Sequence, residues 1–314
     1  MTRNYLVADV GGTHIRVACF AVDSQKPSIV QKIETVGPDS PHERLMQLIA
    51  AVAPKGDEIA AIAVAAPGPL DPFAGMVYEA PNIPSWINLP LRQIIEDRFH
   101  VPVAIGNDAN LAALGEWKFG AGRGHRNLVY ITVSTGIGGG VIIENQLLLG
   151  MKGLAAELGH LTVIPDGPLC GCGQRGHLEA IASGPAIARW VEQELSQGIP
   201  SLLPADKPVS AVDVSEAAGK GDELAIAALA RSGTYVGTAI ADFLHIFNPS
   251  MVIIGGGVSR SGEIFMDPLR KAMTEHVMSK HYLDNLTVTT ADLGDDVGLM
   301  GALALAQTTT KTNP

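Results

Sequence analysis

Apolar residues recur along this chain in two rhythms. Over residues 41–53 they take the spacing of one face of an amphipathic helix, and further helical patterns occupy 91–99 and about 109–119. Between them, residues 59–66 form an unbroken apolar run of strand length, and 103–105 form a shorter one. Strand and helix alternate, which predicts a largely parallel sheet with helices on its faces. Ahead of these elements, residues 5–20 are two apolar runs parted by Gly11, Gly12 and Thr13, the layout of a β-hairpin. The layout returns about 125 residues later: an apolar run at 128–133, a turn from Ser134 to Gly140, then apolar residues 141–143. An internally duplicated fold is expected.

The pattern then loosens until a helix at 186 to about 196, followed by a Pro-rich connector at 198–208. Long helical patterns at 222–247 and 262–277 flank an apolar strand, 251–254, that runs into Gly255, Gly256 and Gly257. A last apolar helix covers 297 to about 306, and 308–314 is expected to fray. Gly and basic residues cluster at 120–124, which predicts domains 1–120 and 121–296, with the 297–306 helix packing back onto the first.

Composition sharpens this picture. At 314 residues the chain can bury a large core in two domains without disulfides. Apolar residues at 46%, charged ones at 17%, and 35 Gly with 20 Pro exclude a disordered chain and predict short connections. The net charge of −10 has no long Lys/Arg run beside it, so neither nucleic acid nor an anionic membrane is an expected partner. No apolar stretch approaches the roughly 18 residues that span a bilayer, and no signal-type segment precedes Asp9, so a cytoplasmic location is expected.

Glycines in a hairpin turn let backbone N–H groups approach an anion closely, so Gly11, Gly12 and Thr13 form a candidate phosphate site. Asp9, just ahead of the turn, is placed to hold Mg²⁺ through water, or simply to cap the turn. The second hairpin, with Thr135, Gly136 and Gly138, supplies a second grip on the same nucleotide. Gly256 and Gly257 can lie flat against an adenosine, or merely punctuate a strand end. No G-x-x-x-x-G-K-[ST] occurs, and both Gly turns are strand–turn–strand, which excludes a P-loop and a dinucleotide-binding fold.

After strand 103–105 come Gly106, Asn107, Asp108, Ala109 and Asn110 at the start of a helix, the strand end where ligands gather in open α/β sheets. Asp108 is either the helix N-cap or a general base that accepts a hydroxyl proton as a phosphoryl group arrives. Asn107 offers a donor and an acceptor to a hydroxyl-rich substrate. Upstream, the turn Ala66, Pro67, Gly68 and Pro69 either brings backbone to the substrate or is only rigid.

His160, Cys170, Cys172 and His177 stand at relative positions 0, +10, +12 and +17, among Gly171, Gly173 and Gly176. Two thiolates and two imidazoles match a closed, structural Zn²⁺ site; core cysteines or a redox pair are the other readings. Glu157 and Glu179, which flank this loop, would be brought near one point and could accept hydrogen bonds from sugar hydroxyls, or could be solvated surface carboxylates.

Taken together, these residues resemble the ROK family of repressors, open reading frames and sugar kinases, within the actin-like ATPase superfamily. Asp9, Val10, Gly11, Gly12 and Thr13 look like its first phosphate motif, Ser134 to Gly140 its second, and Asn107 to Asn110 its catalytic segment. Glu157 to His160 with Cys170 to Glu179 is similar to its zinc signature. The resemblance implies an α/β, duplicated actin-like ATPase (ribonuclease H-like) fold with two domains around a central cleft. It implies that Asp108 is the base, that Gly68, Asn107, Asp108, Glu157, His160 and Glu179 hold the sugar, and that His160 also ligates zinc. Two departures are visible: His177 stands where the family usually has a third Cys, and His14 follows Thr13 where Lys or another residue is common. Family repressors carry a helix-turn-helix ahead of the first phosphate motif; only eight residues precede Asp9, so that module is not expected.

The expectation is an ATP-dependent hexose kinase, most like the family's glucokinases, using ATP, Mg²⁺ and structural Zn²⁺ and assembling as a homodimer or homotetramer. N-acetylmannosamine, N-acetylglucosamine, fructose, mannose and allose remain alternative sugars, and polyphosphate an alternative donor. A non-catalytic sugar-sensing regulator is the alternative of a different class.

Overall fold

A computed structural model describes residues 3–310. They divide into two compact units. The first holds the chain up to Gly124, Gln146–Ala156 and everything from Asp292; the second holds His125–Asn145 and Glu157–Ala291.

The first unit opens with β1 (Arg3–Val10), β2 (His14–Ala21) and β3 (Ile29–Glu34), then α1 (Pro41–Val52) and β4 (Glu58–Ala66). Next come the short strands β5 (Leu70–Asp71), β6 (Met76–Glu79) and β7 (Ile87–Leu89), then α2 (Leu91–Phe99), β8 (Val103–Asn107) and α3 (Asp108–Phe119). The main sheet runs β3-β2-β1-β4-β8, with β1, β2 and β3 antiparallel in turn and β4 and β8 parallel to β1. Helix α1 forms because Leu45, Leu48, Ile49 and Val52 fall on one face, which is buried, while Pro41 opens its first turn and the Ser40 N–H donates to Glu43 Oε2 at 3.1 Å. That face joins Leu6, Val17, Val64 and Ile105 of the sheet and the fully buried Trp86 in one core.

In the second unit β9 (Leu128–Val133) and β10 (Ile137–Ile143) form the second hairpin; the two-residue strand β11 (Gln146–Leu147) lies in the stretch that belongs to the first unit. Then follow α4 (Leu178–Ala182), α5 (Gly184–Ser196), α6 (Ala211–Gly219), α7 (Glu223–Phe247), β12 (Met251–Gly255), α8 (Glu263–His276) and β13 (Thr287–Thr290). Strands β10-β9-β12-β13 repeat the first sheet's plan, an antiparallel hairpin whose first strand continues into two parallel neighbours. The duplication read from the two Gly hairpins is therefore a duplication of topology. By length and composition α7 could cross a membrane, yet most of its apolar window is buried, and it packs on α8, α6 and α4.

The last helix, α9 (Val297–Thr309), packs on α3, β1, β4 and β8, with Gly115 of α3 against Gly301 at the crossing. It continues through Thr308 and Thr309, where fraying was expected; residues 311–314 of that expected tail lie outside the described ones. A second difference concerns β10, which starts at Ile137, so Gly138, Gly139 and Gly140 are strand residues paired with Thr132, Ile131 and Tyr130. Only 134–136 is turn. The glycines masked the strand because they lack β-propensity; Gly139 is there so that Leu158 can approach, since a Cβ would lie 2.5 Å from Leu158 Cδ1. A third concerns 146–156, a stretch inside the predicted second domain that lies in the first unit, where Gly153 packs so tightly on Pro72 that a Cβ would meet its ring at 2.0 Å.

Candidate functional site

In the first unit, the turn Gly11, Gly12 and Thr13 joins β1 to β2. The Gly11 N–H donates to the His14 carbonyl at 2.9 Å, and Thr35 ties the turn from outside, its hydroxyl donating to the Gly11 carbonyl at 2.6 Å and its N–H to that of Thr13 at 2.8 Å. Thr13 is left exposed. Thr35 was not foreseen, because nothing in the local pattern connects it with a turn more than twenty residues away.

Asp9 stands across the ladder from Arg16. Burial pushes its carboxyl above the usual carboxylate range, and Arg16 draws it back only in part. The Arg16 guanidinium is shared, donating to the Asp295 carbonyl and to Asp296 Oδ1. Such a carboxyl is stabilised in its ionised form by a cation brought close to it.

Asn107 ends β8 and caps α3, its Oδ1 accepting from the Ala109 and Asn110 N–H groups at 3.0 and 3.1 Å. Capping, one of the two roles open to Asp108, therefore falls to its neighbour. Asp108 is the first helical residue, with an exposed carboxylate whose Oδ1 accepts from the Ala109 N–H at 2.8 Å. The Asn107 Nδ2 donates to the Gly68 carbonyl at 3.3 Å, which brings Gly68, Asn107 and Asp108 to one sheet end. Gly68 sits at φ +85°, and a Cβ there would overlap the Glu79 carbonyl at 1.9 Å, so this turn requires glycine.

In the second unit, the Ser134 N–H donates to the Gly136 carbonyl at 2.8 Å and its own carbonyl accepts from Gly184 at 2.8 Å, closing the turn and leaving Thr135 exposed. Gly138 lies beyond the turn, in β10. After β12, Gly256 at φ +86° turns the chain into a 3-10 segment, Gly257–Ser261, and open space surrounds Gly257.

The loop after a 3-10 turn, Leu158–His160, gathers His160, Cys170, Cys172 and His177, whose ligand atoms all lie within 4.8 Å of one another. The nitrogens His160 Nδ1 and His177 Nδ1 are 3.4 Å apart, Cys170 Sγ is 3.7 Å from the first and Cys172 Sγ 3.2 Å from the second. A tetrahedron with Zn–N of about 2.0–2.1 Å and Zn–S of about 2.3 Å has edges of roughly 3.3–3.8 Å. The four donors fit zinc. Burial pushes the Cys170 thiol up to about 11, an effect a bound divalent cation would oppose.

The two flanking glutamates differ. Glu157 precedes the 3-10 turn, and burial of its carboxyl raises it above the usual range, opposed by His160 and reinforced by Glu179. Glu179, in the first turn of α4, faces the second hairpin: its Oε2 accepts from the Ile137 N–H at 2.9 Å and its Oε1 from Cys170 Sγ at 3.5 Å. Each carboxylate oxygen has a further lone pair for a ligand hydroxyl.

The model of the ROK family matches residues 5–309. Among curated proteins, the glucokinase of Thermotoga maritima is 38% identical over 303 residues, covering 95% of both chains. The xylose repressor of Caldicellulosiruptor bescii is 34% identical over 255 residues, 80% of this chain and 63% of the repressor. Among solved structures, a ROK family glucokinase from Streptomyces griseus in complex with glucose and AMPPNP superposes with a TM-score of 0.81 at 36% identity, covering 97% of this chain and 99% of that one.

Proposed function

The chain belongs to the ROK family, and from that premise we propose that it is a glucokinase, transferring the γ-phosphoryl group of ATP to the 6-hydroxyl of glucose. One observation carries the chemistry beyond the likeness to glucokinases: Asn107 caps α3 and reaches the Gly68 carbonyl, and the exposed Asp108 carboxylate heads the helix at that same sheet end. Asp108 takes the proton from the sugar hydroxyl as the phosphoryl group is transferred. Gly68, Asn107, Glu157, His160 and Glu179 hold the sugar. Gly11, Gly12, Thr13, Thr135, Gly136 and Gly138 line the phosphates, the N–H groups of Gly12, Thr13, Thr135 and Gly136 donating to them while that of Gly11 holds the His14 carbonyl, and Gly256 and Gly257 lie along the adenosine.

Most of the acceleration in phosphoryl transfer comes from positioning and charge neutralisation. Mg²⁺, held through water by Asp9, supplies part of that neutralisation when bound. Zn²⁺ on His160, Cys170, Cys172 and His177 acts as a cross-link that shapes the loop. The enzyme is expected in the cytoplasm as a homodimer or homotetramer.

The similarity to a xylose repressor supports a second reading, a sugar-sensing regulator that binds its sugar without turnover. A coupled ADP assay over a panel of hexoses at fixed ATP and Mg²⁺ separates the two. Glucose should give the highest kcat/KM, and Asp108→Asn should lower kcat by about a hundredfold or more while glucose binding persists. Sugar binding with no ADP release from the wild type would establish the regulator instead.

A further inference from the structure

Ile137 is the first residue of β10 and directly follows the turn of the second glycine hairpin. Neighbours of the four-ligand cluster hold it on both sides of its backbone. Its N–H donates to Glu179 Oε2 at 2.9 Å, and Glu179 lies two residues beyond His177 in the first turn of α4. Its carbonyl lies against Gly159, the residue before His160: a Cβ on Gly159 would stand 1.9 Å from that oxygen. The glycines of the hairpin return the contact, because a Cβ on Gly136 would lie 2.5 Å from Glu179 Oε2 and one on Gly139 2.5 Å from Leu158 Cδ1.

Resting on the zinc and nucleotide readings above, we propose that the metal cluster positions the second glycine hairpin, Glu179 and Gly159 acting as positioning residues that carry zinc occupancy into nucleotide affinity through Ile137. Between His160 and His177 the loop has no helix or strand of its own; the bridges Thr162 to His177 and Leu169 to Arg175 and backbone hydrogen bonds, among them Leu178 N–H to the Leu161 carbonyl at 2.9 Å, hold it. Zinc would add a side-chain tie between its two ends, and with them between both supports of Ile137. A hairpin whose N–H groups must converge on phosphate binds in proportion to the time it spends in that arrangement, so loosening its supports lowers affinity without touching a nucleotide contact.

The test is calorimetric titration of AMPPNP with Mg²⁺, with no sugar present, into the full chain in zinc-loaded and chelator-stripped forms. Elemental analysis checks the metal and circular dichroism the fold. Stripping should raise the wild-type Kd about tenfold, the effect of shifting the competent fraction. Glu179→Ala should raise the zinc-loaded Kd about fivefold, the size of one ordinary hydrogen bond, and stripping should then add less than about twofold. Glu179→Gln keeps an oxygen for the Ile137 N–H and should bind AMPPNP as the wild type does, although a part in holding sugar would still raise its glucose KM.

A Kd that ignores stripping, or a full stripping effect that persists in Glu179→Ala, overturns the proposal. If the stripped protein loses its fold, zinc-loaded Gly159→Ala decides: a raised Kd supports the coupling and an unchanged one overturns it. A protein that never holds zinc ends the proposal through the metal reading, and one that never binds AMPPNP ends it through the kinase reading.

Discussion

Glu116 is a fully buried carboxylate in the last turns of α3, and replacing it should destabilise the first unit more than any surface change could. Its Oε2 accepts from the Ala121 N–H at 2.9 Å and its Oε1 from the Leu293 N–H at 2.8 Å. Ala121 lies just before the chain leaves the first unit at Gly124, and Leu293 just after it returns at Asp292. Glu116→Ala strands two backbone donors at about 1–3 kcal/mol each and removes the side-chain contacts, which together come to about 4–7 kcal/mol. Glu116→Gln keeps one acceptor but turns an amide N–H₂ toward the other donor, at about 2–3 kcal/mol. Urea unfolding followed by tryptophan fluorescence measures both, because Trp86 and Trp117 lie in the first unit and Trp190 in the second. The transition should move to lower urea in the order wild type, Gln, Ala. If Gln and Ala both unfold within about 0.5 kcal/mol of the wild type, the carboxylate does not tether these segments and the reasoning fails.

Two further changes probe other parts of the fold. Asp222 caps α7, and although burial pushes its carboxyl up, hydrogen bonds from Leu202, Ala225, Ser201 and Leu224 outweigh this and hold it below the usual range. A depressed folded-state value means stability present above the unfolded value of about 3.9 and lost as pH falls through the folded one. Asp222→Asn should therefore melt lower than the wild type at neutral pH, with the gap closing in acid below about pH 4; a gap independent of pH from 7 to 3 would contradict the assignment. Gly68→Ala places a side chain at φ +85° against the Glu79 carbonyl and should cost roughly 3 kcal/mol while raising the glucose KM. Unchanged melting and KM would show that the turn adapts.

The repeating parts of this fold are written in local pattern. Two hairpins announced themselves through glycines between apolar runs, α1 through its four-residue apolar face, and the cluster through Cys and His spacing within one loop. What the pattern left out depends on contacts distant in sequence. Strands β5, β6 and β7 are two to four residues long and have no periodicity to read. Helix α6 does carry a local signal, Ser210 with Asp213 three residues on as a capping box, although the segment is short and follows a Pro-rich stretch. The early start of β10 is hidden because Gly139 serves Leu158, about twenty positions away, and the turn glycine Gly136 before it serves Glu179, about forty away. Similarly, the helix cap is Asn107 and not Asp108 one residue on, a distinction that helix geometry makes and spelling does not.

His177 also changes the electrical character of its loop. Two thiolates balance a divalent zinc ion, so this coordination sphere would be neutral, whereas a third cysteine would leave it with an excess negative charge. That surplus would sit beside Glu179 and beside Glu157, whose ionisation burial and the neighbouring Glu179 already disfavour. An uncharged sphere spares both glutamates a third anionic neighbour and leaves one sulfur fewer open to oxidants.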